Sequence, residues 1–121
     1  MLRTRSRRLY AECGTGRLKV WAEVVPAGDD IVVFIGGGER PHLGSFSFCD
    51  ASHASFCASL PGHKDYIVSA KAATTLSEGL GRTCAVVAGI HVDNATKQEI
   101  ELLLENSNKC IDLLIRKMKA Q

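Results

Sequence analysis

No stretch of this chain approaches the ~20 consecutive apolar residues that a membrane-spanning helix needs, and its first residues lack the apolar core of a secretory leader. These absences give the expectation of a cytoplasmic protein with no membrane partner. Charge of one sign is also scarce: 15 Lys and Arg against 13 Asp and Glu leave a net +2, so nothing in the balance asks for a nucleic acid. Much of that excess is Arg3, Arg5, Arg7 and Arg8, and residues 1–8 are expected to form a basic flexible tail ahead of one domain over 9–121. The five cysteines are odd in number and include no CxxC pair, which argues against a zinc ribbon or a dithiol redox centre. Helical HxxxH and strand HxH pairs, which would put two imidazoles on a common face for a metal, are missing too. So are a nucleophile elbow, a Ser/His/Asp or Cys/His arrangement and a framed carboxylate pair, so a non-catalytic role is favoured over an enzyme. No internal repeat or low-complexity segment is present.

What is there is ordinary globular composition, 45% hydrophobic and 23% charged, enough for one core. The first half reads as strands. Residues 9–13 form a weak one. In 18–25, Leu18, Val20, Ala22 and Val24 fall on one face and Lys19, Trp21 and Glu23 on the other, the period-two pattern of a half-buried strand. A turn cluster at 26–30 leads into the β-branched run 31–35, which ends at Gly36-Gly37-Gly38. Residues 43–48 and 54–60 alternate small and aromatic or aliphatic residues as two more strands, joined by a polar turn. Cys49 and Cys57 flank that turn and are placed to face each other across a hairpin, reduced rather than bridged in a cytoplasmic setting.

The second half changes period. Tyr66, Ile67, Ala70, Ala73, Leu76 and Leu80 recur at three- and four-residue spacing, an amphipathic helix over 65–80 with glycine at its end. Residues 84–90 run apolar without alternation, as in a central strand covered on both faces. Thr96-Lys97-Gln98-Glu99 is a capping box that starts a last helix with a stripe of Ile100, Leu103, Leu104, Cys110, Ile111, Leu114 and Met118. Cys84 and Cys110 lie on these apolar patterns and are expected to be buried thiols. The fold expected is α/β of the α+β kind: a mixed, mainly antiparallel sheet from an N-terminal β-meander, followed by helix, strand, helix.

Three histidines sit in Gly/Pro turns: Gly38-Glu39-Arg40-Pro41-His42-Leu43-Gly44, Leu60-Pro61-Gly62-His63-Lys64-Asp65 and Gly89-Ile90-His91-Val92-Asp93-Asn94. Two of these segments lead into a helix, where unpaired N–H groups and the positive end of the macrodipole favour an anion such as a phosphate. Lys64 adds a point charge beside His63, with the Gly62 and His63 amides open to approach. Gly36-Gly37-Gly38 follows a strand with no helix or GK[ST] after it, so it is neither a dinucleotide fingerprint nor a Walker loop. Glycine there permits close approach of a flat ligand or a neighbouring subunit. Asn94 either shapes its turn or contacts a ligand. The three imidazoles form one binding site if the fold brings them to a common rim, a metal site being the alternative use of the same side chains.

Taken in order and spacing over residues 18–118, the three segments resemble the LpdD-like prenylated-flavin chaperone family. The resemblance implies a fold similar to the small proteasome-assembly-chaperone-like proteins, which often pair as dimers. It further implies binding of prenylated FMN, or FMN itself, and delivery or maturation of that cofactor for a UbiD-type decarboxylase of hydroxylated aromatic acids. The residues of this chain that match the family's segments, and so are expected to bind cofactor, are Gly37, Gly38, Pro41, His42 and Gly44, then Pro61, Gly62, His63 and Lys64, then His91 and Asn94. The first strands and the 49–57 region depart from the family pattern. Two other readings of the same loops stand beside it: a protein-assembly module that uses them as a partner interface, and a small protein with a histidine-ligated metal.

Overall fold

The computed structural model describes residues 9–52, 55–62 and 65–121; the basic tail and residues 53, 54, 63 and 64 lie outside the described residues. Six strands and two helices follow the order read from the sequence: β1 (Tyr10–Cys13), β2 (Val20–Ala27), β3 (Asp30–Gly38), β4 (Ser45–Cys49), β5 (Ser55–Ser59), α1 (Tyr66–Leu80), β6 (Cys84–His91) and α2 (Lys97–Lys119). The strands make one sheet in the order β1-β2-β3-β6-β4-β5. Only β3 and β6 run parallel; the other neighbours are antiparallel. The meander is therefore β1 to β3, and the β4–β5 hairpin lies on the far side of β6.

Local chemistry explains where element ends differ from the sequence reading. Leu18 belongs to a short 3₁₀ turn (Gly16–Leu18), so β2 starts at Val20. Pro26 and Ala27 stay in β2, because Gly28 at φ 65° lets a two-residue turn close the hairpin and pairs Ala27 with Asp30. The three glycines at 36–38 extend β3 instead of ending it. Leu43 precedes β4. Cys49 lies opposite Ser55 and Cys57 opposite Ser47, so the two thiols are not cross-strand partners, and both are free.

Both helices cover the same face of the sheet. Val20, Ala22, Val24, Ile31, Val33, Ile35, Val86 and Ala88 point into that layer and meet Leu76 of α1 and Leu103, Ile111 and Leu114 of α2. Small residues let α1 come close: the hydroxyls of Ser45 and Ser47 on β4 each lie 2.8 Å from that of Ser69, all three buried. Among the described residues the other face carries no helix. Strand β6 is central in position, but its burial alternates, with Cys84, Val86 and Ala88 buried and Ala85 and Val87 half-buried, so it is covered on one side and not on both. Tyr66 and Ile67, expected on the buried stripe of α1, are exposed at its first turn, and Ile100 is likewise exposed at the start of α2.

Candidate functional site

The 39–44 segment leaves β3 and crosses the end of β6, and glycines make the crossing possible. A side chain at Gly89 would run into the His42 carbonyl, and one at Gly44 into the Asp65 carboxylate. Gly38 at φ 72° sits against the His91 carbonyl, and Gly37 against Lys19. The backbone bonds that follow, from Glu39 N–H to the His91 carbonyl at 2.8 Å and from Gly44 N–H to that of Ala88 at 2.9 Å, fix the loop over the strand end. The space at Gly37 and Gly38 is thus filled by the chain's own backbone, which accounts for these glycines without a ligand.

This crossing brings His42 and His91 together, with ring centroids 6.2 Å apart in an edge-on arrangement. Nδ1 of His42 lies 3.2 Å from the Arg40 carbonyl and Nε2 lies 3.2 Å from Oδ2 of Asp65. Both partners are acceptors, so each contact is a hydrogen bond only when the nitrogen facing it carries a proton. Asp65 is buried, and its Oδ1 accepts the Ile90 N–H at 2.9 Å, a donor that β4 does not reach because its pairing with β6 ends at Ser45 opposite Ala88. One carboxylate therefore ties the start of α1, the end of β6 and the His42 loop.

On the other side of His91, Asp93 Oδ1 takes a hydrogen bond from His91 Nε2 at 2.8 Å and one from Arg40 Nη2 at 2.7 Å. The His91 contact, with Arg40 second, holds the Asp93 carboxyl below the usual carboxylate range. Glu39 accepts the Asp93 N–H at 2.8 Å, and Arg17 donates to the Asp93 carbonyl at 2.8 Å. Asn94 adopts φ 52°, the left-handed conformation that turns the chain into the Thr96 capping box. That box is closed on both sides, Glu99 N–H to Thr96 Oγ1 and Thr96 N–H to Glu99 Oε1 at 3.1 Å each.

Below the two imidazoles a cleft of about 310 Å³ opens between the starts of α1 and α2. Ile67, Val68, Ile90, Val92, Ala95, Ile100, Leu103 and Leu104 wall it; His42, His91, Asp65 and Gly62 bring polar groups and open backbone to it. A second hollow of about 360 Å³, lined by Arg40, Pro41, His42 and His91, adjoins it through the same two rings. An apolar slot with a few convergent polar groups suits a flat, mostly apolar molecule with a polar edge.

Of the residues singled out in the sequence, His42, Gly62 and His91 therefore line one cleft, Pro41 lines the adjoining hollow, Gly44 packs on Asp65, and Asn94 shapes the turn into α2. Pro61 is exposed in the turn before α1. His63 and Lys64 lie outside the described residues. Asp65, Arg40, Asp93 and Glu39 were not among the expected site residues. Asp65, expected as the first residue of the helix, is its N-cap residue in the structure, yet its side chain makes no capping bond and turns to His42 and Ile90 instead. Among the described residues no group of three or more His, Cys, Asp or Glu is placed to hold a metal ion.

Known proteins resemble this chain in fold and in sequence. By fold, the chain is similar to a protein in the crystal structure of a novel chaperone complex for yeast 20S proteasome assembly, with TM-score 0.60 over 89% of this chain and 94% of that one at 19% identity. By sequence, it is 32% identical over 78 residues to Protein LpdD of Lactiplantibacillus plantarum, a match that takes in 60% of this chain and 57% of that relative, a little over half its length. Residues 14–119 match the model of the prenylated flavin chaperone LpdD-like domain, and that span holds both imidazoles, the cleft and both helices. The chain belongs to the LpdD-like prenylated flavin chaperone family.

Proposed function

We propose that this protein binds prenylated FMN in the cleft between the starts of α1 and α2 and hands it, as a non-catalytic cytoplasmic chaperone, to a UbiD-type decarboxylase. The observation that carries the reading is the convergence of His42 and His91 over an apolar slot of about 310 Å³. The slot is within the usual size range of small-molecule sites, roughly 300–1,000 Å³. Its aliphatic walls suit the faces of a tricyclic ring, and the imidazoles and the open Gly62 backbone suit its polar edge. The phosphate belongs at the mouth. There Gly62 leads toward Lys64 in sequence on one side, and Arg40 and His91 line the adjoining hollow on the other. When bound, the prenylated flavin supplies the electron sink for decarboxylation in the client enzyme; this chain supplies shelter and orientation.

The test is anaerobic incubation of the purified protein with prenylated FMN and, separately, FMN, followed by desalting and absorbance of the protein fraction. Retention of the prenylated form, reduced in a His42→Ala/His91→Ala variant of unchanged fold, is the expected result. Retention of neither flavin refutes the reading. No helix among the described residues is long and apolar enough to cross a membrane.

A further inference from the structure

The two imidazoles over the cleft are held by the chain in different ways. Both ring nitrogens of His42 face acceptors of the chain itself, the Arg40 carbonyl and the Asp65 carboxylate, each at 3.2 Å. His91 is engaged at Nε2 alone, 2.8 Å from Oδ1 of Asp93, and its Nδ1 makes no hydrogen bond among the described residues. The Asp93 carboxyl lies below the usual carboxylate range, held there by the His91 contact first and Arg40 second, so it has no proton to give at neutral pH. The 2.8 Å contact therefore needs the proton on Nε2 of His91. A neutral imidazole carries only one N–H, so Nδ1 is left as a lone pair on a ring that lines both the cleft and the adjoining hollow. The carboxylate on the cleft wall, that of Asp65, already accepts the Ile90 N–H and faces His42.

We propose that Nδ1 of His91 is the hydrogen-bond acceptor that selects the ligand of the cleft by a ring N–H, and that Asp93 is the positioning residue that keeps this nitrogen unprotonated. The ligand class is a flat heterocycle with an imide or lactam N–H on its polar edge. This assignment rests on the flavin reading and deepens it, since the pyrimidine edge of a flavin carries one such N–H between two carbonyls. A wall that offers an acceptor discriminates against a ligand without the matching donor, because binding then strips water from the lone pair and returns nothing. His42 has another task. Its nitrogens are spent on Arg40 and Asp65, and its ring stands edge-on to His91 at 6.2 Å, where it backs the ring that does the selecting.

Asp93 is itself clamped. Its Oδ1 also takes Arg40 Nη2 at 2.7 Å, its N–H donates to Glu39 Oε1 at 2.8 Å, and its carbonyl accepts from Arg17 Nη2 at 2.8 Å. Arg17 in turn reaches Glu99 at the start of α2 at 3.4 Å. The 3₁₀ turn, the loop after β3, the end of β6 and the start of α2 thus converge to hold one carboxylate oxygen against one ring nitrogen. Arg40, His91 and Asp93 are all exposed, so little core packing depends on these contacts; what they fix is the tautomer and orientation of the ring. A second proton on His91 turns Nδ1 into a donor that confronts the ligand's own N–H, so binding should weaken as pH falls. The charged and titratable groups around the ring, among the described residues, are Asp93, Glu39, Glu99, Arg17 and Arg40 on the clamp side and Asp65 with His42 across the cleft.

The experiment is nitrogen-15 magnetic resonance of histidine-labelled protein, free and saturated with prenylated FMN under anaerobic conditions, with affinities measured over the same pH series. The His91→Ala spectrum assigns the ring among the chain's four histidines. The expected result at pH 8 is a protonated Nε2 and a bare Nδ1 in the free protein, and a bound flavin that shifts Nδ1 while Nε2 keeps its proton. At pH 8 His91→Ala should bind about tenfold more weakly than wild type. That gap should close over the pH range in which the spectrum shows Nδ1 taking a proton, a comparison in which titration of the flavin phosphate cancels. Asp93→Asn, whose amide can donate to Nε2, should move the proton to Nδ1 and weaken binding to the His91→Ala level. A proton on Nδ1 in the free protein at pH 8, a bound flavin that leaves Nδ1 unmoved, a gap that persists once Nδ1 is protonated, or an Asp93→Asn variant with wild-type tautomer and affinity would each overturn the inference. Should a variant fail to fold, the wild-type spectra with and without flavin still decide. A protein that binds no flavin refutes the reading it rests on and this inference with it, whereas bound flavin with Nδ1 unmoved refutes this inference alone.

Discussion

Asp65 carries more of the site than its place in the sequence suggests. A buried carboxylate is tolerated only when its oxygens have partners, and here Oδ1 takes the Ile90 N–H while Oδ2 faces His42. Asp65→Ala should leave the Ile90 donor unsatisfied and lower stability by about 2 kcal/mol, measured by urea unfolding, because a buried donor stripped of its acceptor costs about 1–3 kcal/mol. An unchanged midpoint would show that the Ile90 contact is dispensable. The thiols separate along the same line of burial. Desolvation first, and neighbouring negative charge second, push Cys84 up to about 11 and Cys110 up to about 12, so both stay protonated at neutral pH. With iodoacetamide at pH 8, mass spectrometry should find exposed Cys57 labelled first and Cys84 and Cys110 labelled only on unfolding. Labelling of either buried thiol at the Cys57 rate would contradict this. His42 and His91 stood out in the sequence because glycine and proline frame them, and the structure brings their rings to 6.2 Å. Asp65 did not, since it read only as the first residue of the amphipathic helix over 65–80.

At the scale of elements, periodicity located every strand and helix, and capping chemistry located the start of α2. The box at Thr96 and Glu99 is closed on both sides, so Thr96→Ala should cost about 1 kcal/mol. A thermal midpoint unchanged by that substitution would mean that packing of Leu103, Ile111 and Leu114 holds the helix without its cap. What periodicity could not fix was how many faces of a strand are covered by the chain itself. The run 84–90 is apolar throughout, which suggested a strand covered on both faces; the described residues cover one. Its outer residues are apolar because Phe34, Phe46 and Phe48 surround them, and a pattern of side chains does not distinguish a face covered by a helix from one left bare. The order β3-β6-β4 also escaped the sequence, because the β4–β5 hairpin must be placed across β6 by long-range packing of α1.

At the scale of the molecule, two layers do different work. The helix layer buries an aliphatic core and leaves a slot where α1 and α2 both begin, and the bare side of the sheet presents its aromatics outward. The loop 39–44 stands between these regions, with His42 on the rim of the cleft and of a groove on that bare side. The 38–44 and 89–94 segments meet at this junction, while Ile67, Ile100, Leu103 and Leu104, which wall the slot, read in the sequence as buried helix stripe and so gave no sign of a site. Those walls offer the most direct test of the central claim. Ala95 lines the cleft from the turn before α2, half-buried at the edge of the core, so Ala95→Phe should project a ring into the slot. Equilibrium titration with prenylated FMN should show at least about tenfold weaker binding for Ala95→Phe than for wild type, a loss of about 1.4 kcal/mol, with an unchanged circular dichroism spectrum. Equal affinity of the two proteins would place the flavin elsewhere and contradict the account.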